Sequence, residues 1–289
     1  MLDAYGVLLD GERALPGAAA LLADLERDGC PWLVVTNAAS RLPETLSRGF
    51  AAVGLAIPPE RILTSGALLA DPCVAGDLRG VRALVLGPEG SRRYAERAGA
   101  IVVPFEEDVD AEALIVADQQ DLCWPDHLDL ALSLLVRRLD AGAPLRLLLC
   151  NPDLMYPVRP GRVALTAGAL AAMLEAVIRE RWPERGIGFT RLGKPSRAIF
   201  DAACRRLGAS RPVMLGDQLA TDIAGVLGAG LDAVLVGTGL APGNGAGGTA
   251  VRPTWVLPSL ASGSSYPSSS LLSAADDPRR SARPHPGGG

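Results

Sequence analysis

Residues 214–230 read MLGDQLATDIAGVLGAG, and this stretch decides the fold. The apolar run that ends at Asp217 predicts a buried strand, and the apolar spacing over 219–229 predicts a helix directly after it. Asp217 then lies at the end of the strand and Asp222 in the first turn of the helix. A buried strand that leads at once into a helix is typical of a parallel α/β sheet.

The same alternation of strands and helices extends through most of the chain. Apolar runs predict strands at 31–37, 83–87, 113–118, 145–151, 213–217 and 233–239, and a last strand within WVLPSL (255–260). Helical spacing predicts helices over 14–28, 41–53, 89–98, 126–141, 167–181, 195–207 and 219–229. The predicted fold class is therefore α/β with parallel sheets.

Composition and charge narrow the function to small-molecule chemistry. The chain has 289 residues, 48% of them hydrophobic, and a formal net charge of -4 with its basic residues spread along the sequence. This pattern disfavours a nucleic-acid partner and an anionic membrane surface. No stretch approaches the roughly 20 apolar residues that cross a bilayer, so the expected location is the cytoplasm. Nothing in the sequence indicates an oligomeric state.

Cysteine and histidine chemistry is disfavoured as well. The five cysteines are far apart and form no CxxC pair, which argues against a zinc site or a redox pair, and we expect them to be reduced core residues. The only histidines are His127 and His285. His127 is expected on a helix surface, and this position disfavours a histidine-based nucleophilic mechanism.

Polar residues recur where the predicted strands end. Asp3 follows the first short apolar run, Thr36 and Asn37 end the next strand, and Asp217 ends a later one, while Lys194 precedes a predicted helix. Each residue alone is compatible with a turn, a helix cap or a surface charge. Ligands bind beyond the carboxyl ends of the strands in an open parallel sheet, so together these residues predict one site.

This set of residues suits phosphoryl transfer to a carboxylate. Asp3 and Asp217 would bind Mg²⁺ through oxygen atoms, the ligands this ion prefers. Thr36, the Asn37 backbone and Lys194 would hold the non-bridging phosphate oxygens. Asp3 would then form an aspartyl-phosphate that water cleaves in a second step.

Four segments carry a family resemblance. DAYGVLLDG (3–11), VVTNAAS (34–40), GKPSRAIFDAA (193–203) and MLGDQLATDIAGVLGAG (214–230) resemble, in this order, the motifs of the haloacid dehalogenase-like hydrolase superfamily. The long insertion between the second and third motifs, and NPDLMYP (151–157) before AGALAAMLEA, resemble its class IIA branch, the NagD-like or nitrophenylphosphatase-like proteins. The resemblance spans about residues 3 to 240.

The resemblance implies a Rossmann-like parallel-sheet core with an inserted, mobile α/β cap domain that selects the substrate. The core would comprise 1–65 and 187–258, and the cap 66–186. Residues 259–289 are rich in Ser, Pro and Gly, and we expect them to form a disordered tail. The implied activity is that of a Mg²⁺-dependent phosphatase of small-molecule phosphate monoesters.

By motif match, the resemblance also implies individual roles. Asp3 would be the nucleophile and a metal ligand, together with Asp217 and the Tyr5 backbone carbonyl, and Asp222 would be a supporting acid at the metal. Asn151 and Asp153, in the phrase at the cap junction, would face the substrate.

Lys194, Thr36 and Asn37 would bind phosphate under the same motif match, and Lys194 is counted with Asp3 and Tyr5 as catalytic. The substrate stays open among sugar phosphates, nucleotides, glycerol phosphate and pyridoxal phosphate, because the cap residues that choose it cannot be oriented from one sequence.

Three departures from the family pattern affect the predicted activity. Tyr5 stands where the usual acid/base Asp is found, and a phenol donates a proton but is a poor base at neutral pH. Ala38 and Ala39 replace residues that are often polar, and only two residues precede Asp3, so the first strand is short or begins before this sequence. The alternative is a catalytically impaired protein that binds phosphorylated metabolites in a regulatory role.

Overall fold

The computed structural model describes residues 1–11, 13–159, 161–238 and 251–261. Its α-helices are α1 (Ala18–Arg27), α2 (Pro43–Ala52), α3 (Pro72–Ala75), α4 (Glu89–Arg97), α5 (Asp126–Asp140), α6 (Ala167–Arg181), α7 (Arg197–Leu207) and α8 (Ala224–Gly228). Its strands are β1 (Val34–Thr36), β2 (Ile62–Thr64), β3 (Arg82–Leu86), β4 (Ile101–Val103), β5 (Ala113–Val116), β6 (Arg146–Leu149), β7 (Met155–Arg159), β8 (Arg162–Leu165), β9 (Thr190–Arg191), β10 (Met214–Gly216), β11 (Ala233–Val236) and β12 (Trp255–Leu257). This alternation confirms the α/β fold class.

The first parallel sheet consists of two groups of strands, which the first residues of the chain link together. Strand β1 pairs with β2, and β10, β11 and β12 pair in that order, all in parallel. Leu2 forms single parallel bridges with both Val34 and Leu215, and it therefore links the two groups of strands. The first strand is thus reduced to one bridging residue, and Asp3 follows it directly, donating its backbone N–H to the Leu215 carbonyl at 2.9 Å.

A second parallel sheet contains β4, β3, β5, β6 and β9 in that order. An antiparallel pair, β7 and β8, lies between β6 and α6 in the chain. Strand β9 falls in the predicted core segment 187–258, yet it pairs with β6 of the predicted cap. The division into core and cap at 66 and 186 stays a prediction.

Both faces of the second sheet are covered, as expected for a parallel sheet. Ile115 and Leu148 pack into one apolar cluster with Val35 of the first sheet. Leu114 and Val116, which alternate with Ile115 along β5, pack into a second cluster with residues of α5 and α6. The three inner strands β3, β5 and β6 therefore read as near-continuous apolar runs, and the sequence predicts them, whereas it misses the edge strands β4 and β9.

Several predicted helix ends differ from the structure. Helix 14–28 begins only at Ala18, because Ala14 pairs with Leu9 in an antiparallel bridge and Gly17 has a φ of 89°. Helix 195–207 begins at Arg197, after the Ser196 side chain accepts a hydrogen bond from the backbone at the N-cap. Helix 219–229 opens with a π-helical turn over Leu219–Ile223 before α8. Helix 167–181 is confirmed as α6.

All five cysteines are free thiols, but the expectation that they lie in the core is wrong for three of them. Cys30, Cys73 and Cys123 are exposed, because they lie in loops or in the short helix α3 rather than in a strand. His127 stacks on Phe105 with ring centroids 3.9 Å apart, which favours a structural role for its imidazole.

The described chain extends past the predicted boundary of the tail. Leu260 packs against the apolar cluster that contains Leu2 and Leu22, so residues 259–261 belong to the folded part. The other residues of the predicted tail, 262–289, and residues 239–250 lie outside the described residues. In the parts of the chain that are described, no helix is long and apolar enough to cross a membrane.

Candidate active site

The predicted acids meet at the carboxyl edge of the first sheet. Asp3 follows the Leu2 bridge, Asp217 follows β10, and Asp222 lies in the π-helical turn that comes next. All three carboxylates are buried, and Asp222 is completely inaccessible. Parallel strands bring their carboxyl ends to the same edge, so residues more than 200 positions apart come together.

Lys194 neutralises part of this acidic cluster. Its Nζ donates a hydrogen bond to Asp3 Oδ1 at 2.6 Å, and it forms an ion pair with Asp222 Oδ1, also at 2.6 Å. Lys194 is 3% exposed and is the only lysine in the chain. Strand β9 of the second sheet ends three residues before it, so the two sheets together build the ion pair.

Burial and charge shift the pKa values of this cluster. Burial raises the pKa of Asp3 above the usual range, against the lowering effect of the Lys194 charge. Burial also raises the pKa of Asp217, and the neighbouring Asp222 carboxylate adds to this effect. Burial alone would lower the pKa of Lys194, but Asp222 and Asp3 raise it, so the lysine stays protonated. One fixed cation therefore faces three acids.

The carboxylate cluster fits a divalent cation. Asp3, Asp217 and Asp222 each offer an oxygen atom, and these atoms lie within 4.8 Å of one another. Asp217 Oδ1 is buried and has no hydrogen-bond partner within the described ranges, although buried polar atoms are usually paired. A Cβ atom at Gly6 would overlap the Asp217 carboxylate, so this glycine leaves the space that the carboxylate occupies. Carboxylate oxygens are the ligands that Mg²⁺ prefers.

Asn37 fixes the backbone around Lys194. Its Oδ1 accepts a hydrogen bond from the Lys194 N–H at 2.7 Å, and its Nδ2 donates to the Lys194 carbonyl at 3.0 Å. Gly193 permits this approach, because a Cβ atom there would lie 2.6 Å from Asn37 Oδ1. The Asn37 side chain is therefore occupied in positioning Lys194, and only its backbone is left for the predicted phosphate contact. Thr36 is buried beside it at the end of β1.

Asp153, from the predicted cap junction, contacts Asn37 at this site. Its Oδ1 accepts a hydrogen bond from Asn37 Nδ2 at 3.1 Å, and burial raises the pKa of its carboxyl group. Asn151 accepts a hydrogen bond from the Asp153 N–H at 3.0 Å and so shapes the turn that presents Asp153. The structure thus brings Asp153 to the site, with Asn151 as its support.

Tyr5 is the most exposed of the predicted site residues, and at 37% it is the only exposed one among them. Its hydroxyl accepts a hydrogen bond from Arg41 Nη2 at 2.6 Å, which leaves the phenolic proton free for another acceptor. Sequence reasoning missed Arg41, although it directly follows the segment VVTNAAS that contains Thr36 and Asn37.

Two family models match this chain, one over its N-terminal part and one over a later part. Residues 1–101 match the family model described as haloacid dehalogenase-like hydrolase, and residues 191–262 match a second model, HAD-hydrolase-like. The chain is 30% identical over 265 residues to the ribonucleotide monophosphatase NagD of Escherichia coli K12, covering 90% of this chain and 95% of NagD. It is 29% identical to the dihydroxyacetone phosphatase of Corynebacterium glutamicum, covering 90% and 88% of the two chains.

Solved structures agree with these sequence matches. NagD of E. coli K-12 superposes with a TM-score of 0.73 at 28% identity, covering 90% of this chain and 96% of NagD. The glycerol phosphate phosphatase of Mycobacterium tuberculosis, solved in complex with magnesium, superposes with a TM-score of 0.74 at 25% identity, covering 90% of this chain and 74% of that protein. The similarity therefore extends over both sheets.

Proposed function

The chain belongs to the haloacid dehalogenase-like hydrolase family, in its NagD-like branch, and we propose that it is a phosphatase of small-molecule phosphate monoesters. The observation that carries this proposal is the buried contact between Asp3 and Lys194, with Asp217 and Asp222 beside it. An ion pair on the protein surface would be exposed, and this one is buried. A carboxylate nucleophile with a fixed cation next to it suits attack on an anionic phosphate.

Asp3 acts as the nucleophile in this proposal. Lys194 occupies Oδ1, so Oδ2 attacks phosphorus, and the bond from phosphorus to the ester oxygen breaks. The leaving alkoxide takes a proton from the Tyr5 hydroxyl, whose hydrogen bond from Arg41 does not use that proton. Water then attacks the phosphorus of the aspartyl-phosphate, one water proton passes to the Tyr5 phenolate left by the first step, and the bond from phosphorus to Asp3 Oδ2 breaks. Inorganic phosphate leaves, and both Asp3 and Tyr5 are regenerated.

In this proposal, Lys194, Thr36 and Asn37 hold the phosphate oxygens. Lys194 faces Asp3, and the Thr36 hydroxyl and Asn37 backbone lie at the end of the neighbouring strand. Asn37 fixes the lysine backbone through two hydrogen bonds, so little reorganisation is needed when phosphate enters.

Asp3, Asp217, Asp222 and the Tyr5 carbonyl would hold Mg²⁺. When bound, the ion neutralises phosphate charge and so lets a carboxylate approach it. The unpartnered Asp217 Oδ1 and the excess of acids over cations support this assignment.

A dependence of turnover on divalent ions tests the proposal. We expect the chain to hydrolyse p-nitrophenyl phosphate in Mg²⁺ and to lose about a hundredfold in rate in excess EDTA, because clustered carboxylates then face an anionic substrate. Release of p-nitrophenol is measured, and added Mg²⁺ should restore it. Full activity in excess chelator would remove the metal from the mechanism.

Tyr5 favours a second candidate function, regulatory binding of phosphorylated metabolites without turnover. A phenol is a poor base at neutral pH, so it activates the hydrolytic water less well than a carboxylate would. A pure binder would gain thermal stability on addition of inorganic phosphate and yet release no p-nitrophenol. The same protein sample can be used for both measurements.

Substitutions at Tyr5 test its proposed role in proton transfer. We expect Tyr5→Phe to lower turnover of alkyl phosphates about tenfold and to affect p-nitrophenyl phosphate less, because p-nitrophenolate leaves without a proton. Tyr5→Asp should raise the steady-state rate by restoring a base, most of all for alkyl phosphates. Steady-state rates on both esters are compared. Unchanged rates in both folded variants would show that another group transfers the proton.

A further inference from the structure

The backbone of residues 39–41, just after the predicted phosphate-binding residues Thr36 and Asn37, is held in place by hydroxyl groups of neighbouring elements. Ser91 Oγ donates to the Ala39 carbonyl at 2.8 Å, and the Tyr94 hydroxyl donates to the Arg41 carbonyl at 2.7 Å. Tyr94 in turn accepts a hydrogen bond from Thr64 Oγ1 at 2.7 Å and is buried on α4. The main chain that carries Arg41 is therefore fixed, and Ala39 faces the core, which explains why a polar residue is not needed there.

Among the described residues, no carboxylate forms an ion pair with the Arg41 side chain. Its only side-chain partner within the described residues is Tyr5, through Nη2 and through the ring, whose centroid lies 6.0 Å from the guanidinium carbon. By contrast, Arg93 pairs with Glu89 and Arg97 with a glutamate on α2. A guanidinium has five N–H donors, so most donors of Arg41 remain available to a ligand.

Arg41 lies on the side of the site where we expect the alcohol part of a bound substrate. Asp3 and Lys194 are buried and Tyr5 is exposed, so solvent reaches this group of residues on the side of Tyr5. We expect a phosphate ester bound against Asp3 to direct its alcohol part toward that side. Arg41 lies there, in contact with the Tyr5 hydroxyl.

We propose that Arg41 is a specificity residue that binds a carboxylate on the alcohol part of the substrate, so that phosphorylated hydroxy acids are preferred substrates. This inference rests on the proposed phosphatase function. The guanidinium is planar and its paired donors match the two oxygens of a carboxylate, whereas the transferred phosphate has its own partners in Lys194, Thr36 and the Asn37 backbone.

A pair of matched esters tests the inference. Phosphoglycolate and 2-hydroxyethyl phosphate both place a two-carbon alcohol on phosphate, but only the first carries a carboxylate. The quantity measured is the ratio of kcat/KM for phosphoglycolate to kcat/KM for 2-hydroxyethyl phosphate. Any effect of Arg41 on Tyr5 acts on both esters and cancels in this ratio. We expect Arg41→Gln to lower the ratio at least tenfold and Arg41→Lys to lower it less.

Arg48→Gln is the matched control, because Arg48 on α2 is also exposed and forms no ion pair with the described carboxylates. It should leave the ratio within twofold of the wild-type value. If Arg41→Gln also leaves the ratio within twofold while the wild-type chain hydrolyses p-nitrophenyl phosphate, the inference is overturned and the phosphatase stands. If the wild-type chain hydrolyses none of the three esters, the proposed function falls and the inference falls with it.

Discussion

Asp3→Asn is expected to lower turnover of p-nitrophenyl phosphate by about 10³-fold or more while leaving the protein folded. An amide oxygen cannot form the aspartyl-phosphate, so the covalent step is lost. Stability should change little, because Asn is nearly isosteric and burial already penalises the charge on Asp3, as its raised pKa shows. Lys194 keeps its ion pair with Asp222. Steady-state rates and thermal melting of the purified variant give both readouts.

Asp10→Asn is the control for this experiment, since Asp10 lies in the same motif segment but is exposed. Its turnover should stay within twofold of the wild-type rate. Substantial turnover by Asp3→Asn would show that Asp3 is only a turn residue, and it would remove the nucleophile from the proposal.

The sequence predicts the acids of the site well because their placement follows from the fold. Asp217 ends a buried strand, and strand ends in a parallel sheet share one edge, so the topology brings Asp3 and Asp217 together. Lys194 had a further signal in the composition, since it is the only lysine in a chain whose other basic residues are arginines. Lysine side chains are almost never fully buried unless they are paired, so a single buried lysine is unusual.

The contacts between side chains could not be predicted in the same way. Asn37 and Asp153 are 116 residues apart and meet only because the turn after β6 folds back onto the first sheet. The hydrogen bond from Arg41 to Tyr5 depends on the path of the loop after β1, which hydroxyl groups on α4 hold in place. Periodicity locates strands and helices, but it does not specify the course of such loops.

Lys194→Met is expected to abolish turnover and also to destabilise the fold in the presence of a chelator. The substitution leaves Asp3, Asp217 and Asp222 buried without their cation, and removing one partner of a buried ion pair costs about 3–5 kcal/mol. This corresponds to a fall of about 10 °C in Tm for a domain of this size. The combined loss distinguishes Lys194 from Asp3, whose substitution should affect turnover alone.

The pH dependence of this stability loss identifies its electrostatic origin. Burial already raises the pKa values of Asp3 and Asp217, and removal of the lysine charge raises them further. The folded protein then binds more protons than the unfolded chain, so its stability falls as the pH rises from the ordinary range of a carboxyl group to these raised values. The deficit in Tm relative to wild type should therefore be larger at pH 8 than at pH 5. Adding Asp3→Asn to Lys194→Met should recover part of the Tm at pH 8 without restoring turnover, because one buried charge is removed. Equal deficits at both pH values would mean that the variant loses packing of the lysine stem rather than charge compensation.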